Sequence, residues 1–137
     1  MASLRSLLAA VIAAALLLGC SEADLRELGR DTERALRDVG DALDELAGKA
    51  EGPLRAAADR ALEAAEEARA ASEDFRKNPT TETRQALARA ERRLDDVANE
   101  LEGLVDQAPA GVRSALDRAL DALTELRRRI DRELESS

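Results

Sequence analysis

The sequence predicts an all-α protein, an antiparallel up-down four-helix bundle with coiled-coil-like packing, and three observations carry that expectation. Ala, Leu, Arg, Glu and Asp dominate the chain while Phe75 is its single aromatic residue, the composition of long helices rather than of a sheet-based core. Three prolines, Pro53, Pro79 and Pro109, sit in or beside clusters of helix-ending residues and divide the chain after residue 20 into four stretches of similar length. Within those stretches the apolar residues step by three and four, the spacing that draws one stripe down one face of a helix.

The prolines and stripes place helices at about 22–48, 53–77, 79–106 and 110–135. Each would be about 35 to 40 Å long at 1.5 Å per residue. In the first, Leu25, Leu28, Thr32, Leu36, Val39, Leu43 and Leu46 form the stripe, and Ser21 with Asp24 offers an N-cap. The second is poorer in large side chains: between Leu54, Leu62 and Phe75 its inner face reads Ala58, Ala61, Ala65 and Ala68. Alanine favours helix but each missing methylene forgoes about 0.8 kcal/mol of burial. That face suits either close packing against its neighbours or a loosely docked helix that moves aside for a partner. The third helix, with Asn78 before Pro79 as its expected N-cap, runs through Leu87, Ala90, Leu94, Val97, Leu101, Leu104 and Ala108. The fourth repeats the idea with Val112, Leu116, Ala119, Leu123, Leu126, Ile130 and Leu134. Four equal amphipathic helices with short turns close most simply into one bundle.

Many charges have a local use. Glu22 and Arg26, Glu33 and Arg37, Glu73 and Lys77, and Glu125 and Arg129 each place an acid four residues before a base. Such pairs stabilise an exposed helix by about 0.2 to 0.5 kcal/mol each. The one concentrated basic run is Arg127-Arg128-Arg129 with Arg132, in the last helix, where the macrodipole favours cations. It reads as a solvated face, with contact to anionic lipid headgroups or an acidic envelope component as the functional alternative.

The N-terminus carries a different message. Leu7 to Leu18 is a run of twelve apolar residues preceded by Arg5, too short for the roughly 20 residues of a membrane span and suited to the core of a signal peptide. It ends in Leu17-Leu18-Gly19-Cys20, and Cys20 is the only cysteine. These four residues resemble the lipobox of bacterial lipoproteins. The resemblance implies a cleaved signal peptide, 1–19, recognised through Leu17, Leu18 and Gly19. It also implies a mature domain, 20–137, whose Cys20 carries a diacylglyceryl group on sulfur and an N-acyl chain. More than one acyl chain makes such an anchor durable. Ser21 stands where an aspartate retains many lipoproteins at the inner membrane, so by that family rule the expected address is the cell envelope at the periplasmic face of the outer membrane. Two other readings fit the same run: cleavage by an ordinary secretory peptidase near Ala13-Ala14-Ala15, or retention as an uncleaved anchor. The murein-linked lipoproteins share the lipid-plus-helix plan but attach to the wall through a terminal lysine, where this chain has Glu135-Ser136-Ser137.

Removing residues 1–19 takes away Arg5 and no acid, leaving a formal charge of −9 in place of −8, which disfavours nucleic acid as a partner. No histidine is present for a bundle-type metal or haem site or for a hydrolase triad. A Gly-rich phosphate cradle and a G-x-S-x-G elbow are also missing. The expectation is a non-enzymatic envelope lipoprotein, a structural or adaptor module acting through helix faces, with no metal, no cofactor beyond the lipid on Cys20 and no small-molecule substrate. Its expected partners are the membrane through the anchor and either an envelope protein or a second copy. Two alternatives are an apolipoprotein-like binder of lipid surfaces and a periplasmic chaperone-like stress protein.

Overall fold

A computed structural model describes residues 2–136, with side chains from Arg26 onward. The described residues form four α-helices, α1 (Ala2–Lys49), α2 (Gly52–Lys77), α3 (Thr81–Glu102) and α4 (Ala110–Ser136), with a 3₁₀ turn at Val105–Gln107 between the last two. They associate as a helical bundle. The most extensive seam joins α1 to α4, followed by α2 to α3 and α1 to α2, and the α3–α4 seam is the smallest of the four main seams.

The apolar stripes read from the sequence form the core. Leu36, Val39, Leu43 and Leu46 of α1, Leu87, Leu94, Val97 and Leu101 of α3, and Leu116, Leu123, Leu126 and Ile130 of α4 are all buried. The alanines of α2 resolve in favour of close packing. Ala57, Ala58, Ala61, Ala64 and Ala68 have no exposed surface, and Leu54 and Phe75 anchor the two ends of that face. Small side chains let α2 approach its neighbours closely, so each alanine gains contact on all sides although it contributes little area.

Helix ends differ from the sequence reading in three places. α1 is one element from Ala2, so no helix starts at Ser21, because the alanine- and leucine-rich run before it favours helix. Asn78 closes α2 instead of capping α3. The N-cap of α3 is Thr80, whose hydroxyl accepts from Thr83 N–H at 3.1 Å while the Thr83 hydroxyl accepts from Thr80 N–H at 2.9 Å. That reciprocal pair satisfies two orphan donors, which Asn78 before a proline could not do. The third helix also stops at Glu102 instead of 106, with Gly103 as its C-cap, and Leu104 to Ala108 turn the chain through the 3₁₀ segment. Between α1 and α2 the reversal uses Gly52 at φ 61, a left-handed conformation that a side chain would strain, followed by Pro53 in the first helical turn.

The burial pattern also reveals a repeat. Of the 52 positions 26–77, 18 carry the same residue as the position 58 further along. Leu36, Val39, Leu43 and Ala50 correspond to Leu94, Val97, Leu101 and Ala108, all buried. Arg55, Ala57, Asp59, Arg60, Ala61 and Leu62 correspond to Arg113, Ala115, Asp117, Arg118, Ala119 and Leu120, with the same alternation of buried, half-buried and exposed classes. The helical hairpin α1–α2 is therefore repeated in sequence and in burial by α3–α4.

Candidate functional site

One layer of the core breaks this correspondence. Among the described residues Thr32, Ser72 and Glu133 are the buried polar or charged ones, each with no exposed surface. Their counterparts across the repeat, Ala90, Ile130 and Phe75, are apolar and also buried. The Ser72 hydroxyl donates to Glu133 Oε2 at 2.9 Å. Glu133 Oε1 and Thr32 Oγ1 have no hydrogen-bond partner of good geometry, and neither does the buried Nη2 of Arg76. Burial pushes the Glu133 carboxyl above its ordinary range. The Ser72 and Thr32 hydroxyls and the positive charge of Arg76 oppose that shift.

Arg76 covers this layer from the side. Its guanidinium donates to the Ser72 carbonyl at 3.4 Å and meets Glu33 at 3.4 Å. Gly29 makes room for it: a Cβ at that position would lie 2.8 Å from Arg76 Nη1 and 2.9 Å from its Cδ. The polar layer thus takes Thr32 and Glu33 from α1, Ser72 and Arg76 from α2, and Glu133 from α4.

A second titratable group lies on the α3–α4 seam. Glu91, the counterpart of Glu33, faces Asp131 in place of an arginine, since Leu134 stands where the first hairpin has Arg76. Burial first, then a hydrogen bond and charge repulsion from Asp131, push the Glu91 carboxyl up to about 7; nearby Asp95 adds to the shift and Arg127 opposes it.

The basic residues singled out from the sequence do not share one face. Arg127 reaches α3 and pairs with Asp95 at 2.9 Å. Arg129 turns towards α1, meeting Asp31 at 3.4 Å, and also closes the expected pair with Glu125 at 2.8 Å. Arg128 is exposed and pairs with Glu125 at 3.8 Å, while Arg132 lines a surface cleft with Glu27, Leu28, Asp31, Glu135 and Ser136. Two of the four arginines are therefore engaged across different helix seams.

Cys20, the expected lipidation residue, Leu17, Leu18 and Gly19, expected to be recognised by the peptidase, and Ser21, the expected sorting residue, lie outside the residues whose side chains are described. Among the described residues no helix is long and apolar enough to cross a membrane, and no group of three or more His, Cys, Asp or Glu side chains is arranged to hold a metal ion. At the opposite end of the bundle from Glu133, a cleft of about 250 Å³ opens among Pro53, Leu54, Leu104, Pro109 and Val112, rimmed by Lys49 and Glu51. No protein-family model, curated protein or solved structure matches the chain.

Proposed function

We propose that this chain is a non-enzymatic, lipid-anchored lipoprotein of the bacterial cell envelope, held at the periplasmic face of the outer membrane, whose helical domain serves as a structural or adaptor module. The observation that carries the reading is Leu17-Leu18-Gly19-Cys20 directly after a twelve-residue apolar run. The fold is compatible with it: the described residues are mostly helical, the apolar stripes are buried, and acidic side chains outnumber basic ones, 29 to 21. The domain is an up-down antiparallel bundle. In support, Arg60 meets Glu100 while Glu67 meets Arg93, and Asp31 meets Arg129 while Glu45 meets Arg118, so partners rise on one helix as they fall on the next. In that topology the start of α1's described part, the end of α2 and the end of α4 share one end, beside the anchor. The loop cleft at Pro53 and Pro109 then faces away from the membrane.

In-cell crosslinking of the anchored protein, compared with a Cys20→Ser form, tests the adaptor role. Capture of a discrete envelope protein, or of a second copy, from the anchored form alone is the expected result. Equal capture from both forms would remove the anchor from the mechanism.

A further inference from the structure

We infer that the partner this bundle fits is a second copy of the same chain, by reciprocal exchange of helical hairpins: α1–α2 of one copy packs on α3–α4 of the other through the seams now closed within one chain.

Four observations carry the inference. The two hairpins are repeats of one another, so each presents the other with a matched apolar face. The seams between hairpins are the more elaborate ones. Arg60–Glu100, Arg93–Glu67, Arg118–Glu45, Arg129–Asp31 and Ser72–Glu133 all cross from one hairpin to the other, whereas Arg76–Glu33 and Arg127–Asp95 join helices of the same hairpin. The hinge is short and already extended: Asn78 has φ −146 and ψ 81, and Thr80 has φ −119 and ψ 170, with Pro79 between them barring a continuous helix. A short connection between two packed units is the element through which identical units are exchanged between copies.

The polar layer decides which hairpin pairs with which. Glu133 finds Ser72, Thr32 and Arg76 only on an α1–α2 hairpin. Against a second α3–α4 hairpin, the corresponding positions are Ile130, Ala90 and Leu134, which would leave a buried carboxyl with no donor. Like-with-like pairing is thereby disfavoured, so the hairpin that completes the layer is the complementary one, and reciprocal exchange between two copies satisfies both. This deepens the interaction-module reading. On that reading the hinge lies at the anchored end, so two copies held in one membrane have their hinges at the same height and at raised effective concentration.

The test co-expresses two differently tagged full-length chains, one carrying Arg60→Cys and the other Glu100→Cys, and treats the membranes with a short bifunctional maleimide. A linker is used because an Arg–Glu pair spans more than a disulfide can. Both residues are surface-exposed, so neither change empties the core. The expected result is a mixed covalent dimer at twice the chain's mass. It should be lost when the pair is Glu33→Cys with Arg76→Cys, since that contact stays within one copy after exchange. No mixed dimer from the first pair, or equal yields from both, would overturn the inference. Unmodified chains serve as the control for Cys20: crosslinking there reports a free thiol and contradicts lipidation, separately from the exchange result.

Discussion

Ser72 and Glu133 are 61 residues apart in sequence and 2.9 Å apart in space, joined by a hydrogen bond inside a core that apart from Thr32 is built of Leu, Val, Ile, Ala and Phe75. Removing one partner leaves the other buried and unsatisfied, and such a loss costs about 1 to 3 kcal/mol. Ser72→Ala should destabilise the bundle by that amount in urea unfolding. Glu133→Gln keeps an acceptor for the Ser72 hydroxyl and cannot ionise, so near neutral pH it should be at least as stable as the parent.

The carboxyls of Glu91 and Glu133 both titrate above their ordinary range when folded, Glu91 near 7. From about pH 4.5 to about 7 the unfolded chain releases the Glu91 proton while the folded chain retains it, and burial likewise holds the Glu133 proton above the ordinary carboxylate range. Stability conferred by the retained protons is complete below pH 4.5 and is lost as pH rises through the folded value. The slope is at most about 1.4 kcal/mol per pH unit for each group, and smaller for half-buried Glu91, where solvent screens the interaction. The urea midpoint should therefore fall between pH 5 and pH 7.5, and Glu91→Gln should flatten the fall. A parent midpoint that rises across this window would contradict the assignment.

Ala61 and Ala64 of α2 have no exposed surface. Ala61→Leu or Ala64→Leu should cost about 1 to 3 kcal/mol by overpacking. Leu123→Ala, which opens a cavity in α4, should cost about 2 to 5 kcal/mol. Amide hydrogen exchange should find α2 as protected as α3. Faster exchange throughout α2 would restore the loosely docked helix.

Two glycines of α1 should respond differently to alanine. At Gly40 an added Cβ meets nothing within 4 Å, so Gly40→Ala should stabilise by about 0.5 to 1 kcal/mol through helix propensity. At Gly29 the same atom meets the Arg76 side chain, so Gly29→Ala should displace the guanidinium and forfeit part or all of that gain. Thermal unfolding of the two variants side by side checks the difference.

The stripes made the helices and most of the core legible, because a three-and-four spacing has only one helical face to fill. Thr32 was already part of the α1 stripe, but Glu133 sat among six other charged residues between Arg127 and Glu135 and carried no local mark of burial. Only α2, brought alongside, supplies its partner. The arginines at 127 and 129 read as one patch along the chain, yet helical rotation sends them to different seams. A composition in which Ala, Leu and Arg recur everywhere masks the repeat of 58 residues in the sequence alone, whereas the buried positions of the two halves coincide. The cap of α3 departs from the sequence expectation because Thr80 and Thr83 satisfy each other more fully than Asn78 could.

Mass spectrometry of the N-terminal peptide from membranes of the producing bacterium tests the central claim most directly. The account predicts a chain that begins at Cys20 and carries the mass of a diacylglyceryl group and an N-acyl chain. A chain beginning elsewhere, or an unmodified Cys20, would contradict the lipid anchor and the envelope role built on it.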